Sequence, residues 1–159
     1  MSLKISETIE IDDIGGNCPV QAEGRIADVP FYFRARGARC QIWIGATPMS
    51  DDCWHLEEPC GEGFEAGWIG EEEALAFIEA GAKRFLEECD PAPQAAFAAY
   101  LNADGAWKAE LAARFGKEAI AAVQFESGRG APGSELRRLS DARDAALAEW
   151  ERLKDGQPR

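Results

Sequence analysis

The chain has little of what usually announces a chemistry. Among its 159 residues there are one histidine, two methionines and two tyrosines, so His55 is the sole imidazole for acid–base or metal work. Its longest uninterrupted apolar run, Ala95 to Leu101, is far too short to span a bilayer. Met1 to Glu7 lacks the apolar stretch of a secretory signal, and the expected location is the cytoplasm. Three catalytic templates are absent: Gly-x4-Gly-Lys-Ser/Thr, Gly-x-Gly-x-x-Gly after a strand, and Gly-x-Ser-x-Gly. The Gly-rich segment Ser127 to Gly133 has neither the lysine nor the preceding strand of a phosphate loop, and reads as a helix connection. No cofactor is expected, and the chain reads as non-enzymatic.

Positive charge is also scarce, and unevenly so. There are 29 acidic against 17 basic side chains, a formal net charge of −12. Such a field repels a phosphate backbone, so a broad surface gripping nucleic acid is excluded. Between Cys40 and Ala82 there is no Lys or Arg, while the same stretch holds Asp51, Asp52, Glu57, Glu58, Glu62, Glu65, Glu71, Glu72, Glu73 and Glu79. Directly before it, Arg25, Arg34, Arg36 and Arg39 crowd together. Glu71 to Glu73 are explained by a helix start alone. The others predict a surface that meets a basic partner, because folded carboxylates can imitate the phosphates that a Lys/Arg groove is built to bind. Asp51 and Asp52 lack the regular ligand spacing of a calcium loop.

What is present in quantity is periodicity. The hydrophobic fraction of 46% suits one globular fold. The first half reads as β: an opening strand through Leu3, Ile5, Ile9 and Ile11, a turn at Asp12 to Asn17, and a strand from Val20 to Ile26. A turn at Ala27 to Pro30 follows, then Phe31 to Arg36, a two-residue hairpin at Gly37-Ala38, and Arg39 to Ile44. Cys53 to Glu57 and Phe64 to Ile69 are weaker strands. The second half reads as α. Leu75, Ile78, Ala82, Phe85, Leu86 and Cys89 form one helical face. Lys83 and Arg84 sit late in it, as the helix dipole favours. Asp90-Pro91 predicts a second helix to about Leu101, and Asn102 or Asp104 caps a third. Residues 116–125 fit helix or strand. A last helix from Ser134 to about Lys154 carries Leu136, Leu139, Ala146, Leu147, Trp150 and Leu153, a stripe that serves a core or a homodimer equally. The expected architecture is α+β. Residues 1–90 form an antiparallel meander of four or five strands covered by a helix. Residues 91–159 form a region of three or four helices packed on it.

Two clusters carry chemical possibilities. Strand alternation separates Phe31, Phe33 and Ala35 from Tyr32, Arg34 and Arg36, and Cys40, Ile42 and Ile44 from Gln41 and Trp43. The Tyr32, Arg34, Arg36 and Trp43 face fits a partner protein, and alternatively a nucleic-acid strand or small anion. Cys53, His55 and Cys60 make Cys-x-His-x4-Cys, a donor set for zinc with Cys18, Cys40 or Cys89 as fourth ligand, or a thiol site. The paired knuckle of zinc folds is missing, and nearby carboxylates disfavour a thiolate. Five widely spaced cysteines argue against a disulfide framework and predict reduced thiols.

Cys18-Pro19-Val20-Gln21-Ala22-Glu23-Gly24, leading into Phe31-Tyr32-Phe33-Arg34-Ala35-Arg36-Gly37, resembles small uncharacterised proteins of bacterial, phage and prophage genomes. Pro132-Gly133-Ser134-Glu135-Leu136-Arg137-Arg138-Leu139 with the following Ala-rich helix and Trp150 is similar to others of that kind. The resemblance implies a mobile-element origin and action by binding and blocking a host machine. The expected function is then that of an anti-CRISPR-like inhibitor of a nucleic-acid-guided defence complex. Asp51, Asp52, Glu57, Glu58, Glu62 and Glu65 would be its partner-binding residues, together with the Tyr32, Arg34, Arg36 and Trp43 face.

Overall fold

A computed structural model describes residues 3–63, 65–118 and 126–155. The chain divides into two compact units, Met1–Ala95 and Ala96–Arg159. The architecture is α+β: an antiparallel sheet first, helices after it.

The sheet has six strands: β1 (Leu3–Lys4), β2 (Ile9–Gly15), β3 (Val20–Ile26), β4 (Val29–Arg36), β5 (Arg39–Ile44) and β6 (Trp54–Pro59). They lie in sequence order, each antiparallel to the next. Six strands replace the expected four or five because the chain breaks the opening strand in two. The Ser6 hydroxyl accepts the Thr8 and Ile9 N–H groups, turning the chain between β1 and β2. The turn expected at Asp12 to Asn17 is instead mostly strand, since β2 runs to Gly15 across a bulge between Ile11 and Asp13. That extra residue lets Ile14, three positions after Ile11, pack on the same core as Ile9 and Ile11. Pro30 is likewise inside β4, and the reversal is made by Ala27 and Asp28 alone, at φ 48° and 65°. Two left-handed residues in a two-residue loop match the right-handed twist of the strands they join. Gly37-Ala38 forms the expected hairpin, with Gly37 at φ 63°.

Alternation decides which face is buried. Phe31, Phe33, Ala35, Cys40, Ile42, Ile44, Val20, Ala22 and Ile26 all point inward and are buried. Helix α1 (Glu71–Glu88) covers them with Ala74, Ile78, Ala82 and Phe85. Phe77 packs its ring 5.6 Å from that of Phe33. Gly81 lets the helix approach β5, since a Cβ there would lie 3.0 Å from Cγ2 of Ile42. Glu71 to Glu73 do occupy the first turn, and the Glu73 carboxylate accepts the Gly70 N–H at 2.9 Å. The last turn carries no basic residue: Arg84 stands a turn earlier and is drawn into an ion pair with Glu88 at 2.8 Å.

Two local expectations fail between β6 and the helices. Glu65–Trp68 is a 3-10 turn, not a strand, because the Glu65 carboxylate takes the Glu62 N–H at 3.0 Å and winds the segment tightly. Phe64 lies outside the described residues. Reduced thiols are also contradicted, since Cys40 and Cys60 form a disulfide. Cys60 follows β6 directly, and the register brings it diagonally across from Cys40 at a Cα separation of 5.5 Å.

In the second unit, one helix stands where two were expected. α2 (Ala92–Phe115) starts at the Asp90 cap, whose carboxylate accepts the Ala92 N–H, and continues through Asn102 and Asp104. Asp104 does not cap because stronger partners claim it: Arg143 Nε at 2.7 Å and Lys108 Nζ at 2.5 Å. The alanines around it favour helix. The end of the ambiguous 116–125 stretch, residues 119–125, is outside the described residues. α3 (Glu135–Asp155) begins where Ser134 Oγ accepts the Arg137 N–H at 3.2 Å. It runs antiparallel to α2, with Trp150 stacked on Phe97 at 4.5 Å and Arg143 over the Trp107 ring at 4.8 Å.

Burial alone would push the Asp104 carboxyl up, but the hydrogen bonds and charges of Lys108 and Arg143 outweigh it and hold it below the ordinary aspartate value. Its stabilising contribution is therefore complete above about pH 4 and is lost as pH falls through the folded-state value. Asp104→Ala is expected to cost about 2 kcal/mol near neutral pH. In thermal melts that deficit should shrink on acidification; a deficit constant with pH would show that the ion pair is not its cause.

Candidate functional site

The sheet's outer face and its β6 edge collect most of the residues singled out from sequence. On the outer face the register aligns side chains in rows across the strands. One row runs Glu23, Tyr32, Trp43, His55. The next runs Gln21, Arg34, Gln41, Glu57, and a third pairs Arg36 with Arg39 opposite Pro59.

The first of these is an aromatic ladder. Tyr32 and Trp43 stack with centroids 5.9 Å apart, and Trp43 and His55 at 4.8 Å with planes 14° from parallel. The Tyr32 hydroxyl donates to Gln21 Oε1. Trp43 has a ring on each side, so the ladder offers an open ring face chiefly at its His55 end. His55 is exposed and stands on β6, the last strand of the sheet. Sequence reasoning assigned His55 to a cysteine cluster and missed this third ring. Its two-residue offset from Glu57 on the same strand was the available signal, but only the register aligns it with Trp43.

The neighbouring rows are polar and partly self-satisfied. Arg39 pairs with Glu57, whose other carboxylate oxygen accepts from Gln41 Nε2. Arg34 sits half-buried between Gln21 and Gln41, and its Nε is buried without a hydrogen-bond partner. Arg36 is exposed and makes no ion pair among the described residues.

The acidic candidates do not share one face. Glu57 and Glu58 are adjacent on β6 and point to opposite sides of the sheet, Glu57 outward to Arg39 and Glu58 toward Arg84 of α1, 3.9 Å away. Asp51 and Asp52 are exposed in the loop before the strand. Glu62 and Glu65 are exposed after it. Only Glu57 and Glu58 are on β6 itself, a strand about 20 Å long, and the other four are on the segments that flank it.

β6 is an edge of the sheet. Among the described residues no strand pairs with the far side of β6. Cys60 N–H donates to Ala38 O at 2.9 Å, and residues 38 and 60 are opposite one another in the β5–β6 register. Antiparallel pairs alternate between bonded and non-bonded, so Glu58, Leu56 and Trp54 bond to β5 while His55 and Glu57 turn their N–H and C=O groups outward. Pro59 ends the edge without a donor.

The cysteine site dissolves in the structure. Cys60 and Cys40 are consumed by the disulfide, which removes two of the zinc donors. No group of three His, Cys, Asp or Glu side chains among the described residues converges for a metal. Burial pushes the Cys53 thiol up, and the Asp51 and Asp52 charges add to this against its backbone hydrogen bonds. Its Sγ donates to Ser50 O at 2.9 Å, a bond that favours the protonated thiol. Near the end of β6, Cys60, Gly61, Glu65, Trp68, Ile69 and Glu73 line a depression of about 450 Å³.

The fold defines the molecule as a six-stranded antiparallel meander backed by one helix, joined to a helical hairpin. Comparison with protein-family models, with curated proteins and with solved structures finds no match. No described helix is long and apolar enough to cross a membrane.

Proposed function

We propose that the protein is a non-enzymatic binding protein that engages the basic surface of a nucleic-acid-handling protein through the β6 edge of its sheet. One observation carries this: Asp51, Asp52, Glu57, Glu58, Glu62 and Glu65 lie on β6, the edge strand, or in the segments directly flanking it, within a stretch that has no Lys or Arg from residue 40 to 82. Carboxylates gathered around open backbone groups suit a Lys/Arg-lined groove that otherwise holds a phosphate chain. The sharpest form is an anti-CRISPR-like inhibitor acting in the cytoplasm on a guide-loaded defence complex. Trp43, one strand in from the edge on β5, and Tyr32, Arg34 and Arg36, two strands in on β4, have the composition that dominates binding energy at protein interfaces.

The test adds the purified protein to a guide-loaded effector complex with fluorescent target DNA, and measures its affinity for an Arg-rich peptide. Binding is expected to weaken steeply between about 50 and 500 mM salt. Reversing Asp51, Asp52, Glu58 and Glu62 to Lys should weaken it by about 100-fold or more with the fold intact by circular dichroism. Glu57 and Glu65 are left in place because they hold close internal bonds, whereas the Glu58 pair with Arg84 is exposed at 3.9 Å and worth little. Unchanged affinity after the reversal would refute the reading.

A further inference from the structure

We propose that the partner is captured as a seventh strand: an extended segment that pairs antiparallel with β6 and reads, from its N-terminus, basic, basic, apolar, aromatic. This rests on the basic-partner reading above and specifies the chemistry of that same edge.

The pairing follows from the backbone. His55 and Glu57 turn N–H and C=O groups to the free side of β6, which is the spacing an added antiparallel strand exchanges bonds with at alternate residues. Every existing pairing in this sheet is antiparallel, so the added strand continues the pattern.

The side-chain pattern follows from the rows. A residue placed opposite His55 falls on the outer face, in line with Tyr32, Trp43 and His55. The ladder's rings stand 4.8 to 5.9 Å apart, matching the distance between neighbouring strands, so an aromatic side chain there stacks on the exposed His55 ring. The residue opposite Glu57 extends the row that ends in this carboxylate, and a Lys or Arg there shares it with Arg39 and Gln41, which already hold one oxygen each. Opposite Leu56 the segment faces inward, beside the half-buried Leu56 and Trp54, where an apolar side chain belongs. Opposite Glu58, exposed at the rim, a second basic residue is favoured. Asp51 and Asp52 at one end and Glu62 at the other extend the attraction to flanking Lys or Arg. Pro59 cannot donate, so pairing stops there and the core of the site is four residues long.

A capped peptide with Arg-Lys-Val-Tyr at its centre tests this directly on the intact protein. Fluorescence anisotropy is compared for the parent peptide, for versions N-methylated singly at Lys, Val or Tyr, and for a scrambled peptide of equal charge. Methylation at Lys or Tyr, opposite Glu57 and His55, removes a donor aimed at β6 and should cost about tenfold or more; methylation at Val, whose N–H points away, should cost little. The scrambled peptide should bind more weakly. Hydrogen exchange of the amides of His55 and Glu57 should slow on binding, while those of Leu56 and Glu58, already bonded to β5, should change little. Equal affinity for all three methylated peptides, with no protection at His55 and Glu57, overturns strand addition but leaves a basic partner standing. Failure of both the parent and the scrambled peptide to bind at low salt overturns the proposal and the basic-partner reading together.

Discussion

Replacing Gly24 by alanine is expected to destabilise the N-terminal unit by about 3 kcal/mol, lowering its melting temperature by roughly 12 to 24 °C for a unit of this size. Gly24 sits mid-strand in β3, where a glycine ordinarily weakens a sheet. The reason it is there is steric. A Cβ at this position would lie 2.1 Å from the carbonyl oxygen of Glu10, and 2.9 Å from both Ile11 Cα and Phe31 Cε1. The first two are backbone atoms of β2 at the bulge, which cannot rotate away as a side-chain tip can. β2 must move away from β3, and the Phe31 ring must shift as well. Gly15, at the end of β2, has nothing within 4 Å of its would-be Cβ and no positive φ, so Gly15→Ala is the internal control and should stay within about 0.5 kcal/mol of the parent. Thermal melts followed by far-ultraviolet circular dichroism compare the two; equal stability of the two variants would show that β2 and β3 are not this close.

Loss of the Cys40–Cys60 bridge is expected to cost a similar amount. The bond closes a chain segment with a sequence separation of 20, and constraining a loop of that length in the unfolded state is worth about 3 kcal/mol. Its removal acts on the edge. The bridge ties the buried Cys40 of β5 to the residue after β6, whereas the other end of β6 is held by the Trp54 indole, which donates to Glu88 of α1 at 2.9 Å. A reductant should therefore lower the melting temperature of the parent and leave a Cys40→Ala, Cys60→Ala double variant unmoved. The double variant is preferred to serine, since Cys40 is fully buried and a hydroxyl there would be unsatisfied. A parent protein whose melting is indifferent to reductant would mean that the bridge does not form in solution.

Sequence periodicity carried the centre of the sheet and failed at its ends. β3 to β5 alternate cleanly, so their inward and outward residues, the Gly37-Ala38 hairpin and the Tyr32, Arg34, Arg36, Trp43 face were legible. β2 was not, because its bulge shifts the alternation by one residue. α2 was divided at Asn102 and Asp104 because cap-forming residues look the same whether they end a helix or reach sideways to an arginine 39 positions on. The disulfide was hidden for a related reason: Cys40 and Cys60 become neighbours only through the β5–β6 register. The acidic residues were legible as a set, but their arrangement was not. Alternating Glu57 and Glu58 reads as one residue in and one out, and nothing in the string says that the strand carrying them is the last one.

The strict sequence order of the strands has a kinetic consequence. Each of the five pairings joins neighbours in the chain, so no strand waits for a distant segment to arrive. The entropy lost in closing each connection is that of a short loop. The sheet can zip outward from the two-residue hairpins at Ala27-Asp28 and Gly37-Ala38, and its folding belongs with fast, low-contact-order β meanders and not with slow sandwiches that must pair remote strands. In that sequence β6, joined to β5 by the longest of the connections between paired strands, docks after β3, β4 and β5, and the Cys40–Cys60 bridge then fastens it to β5.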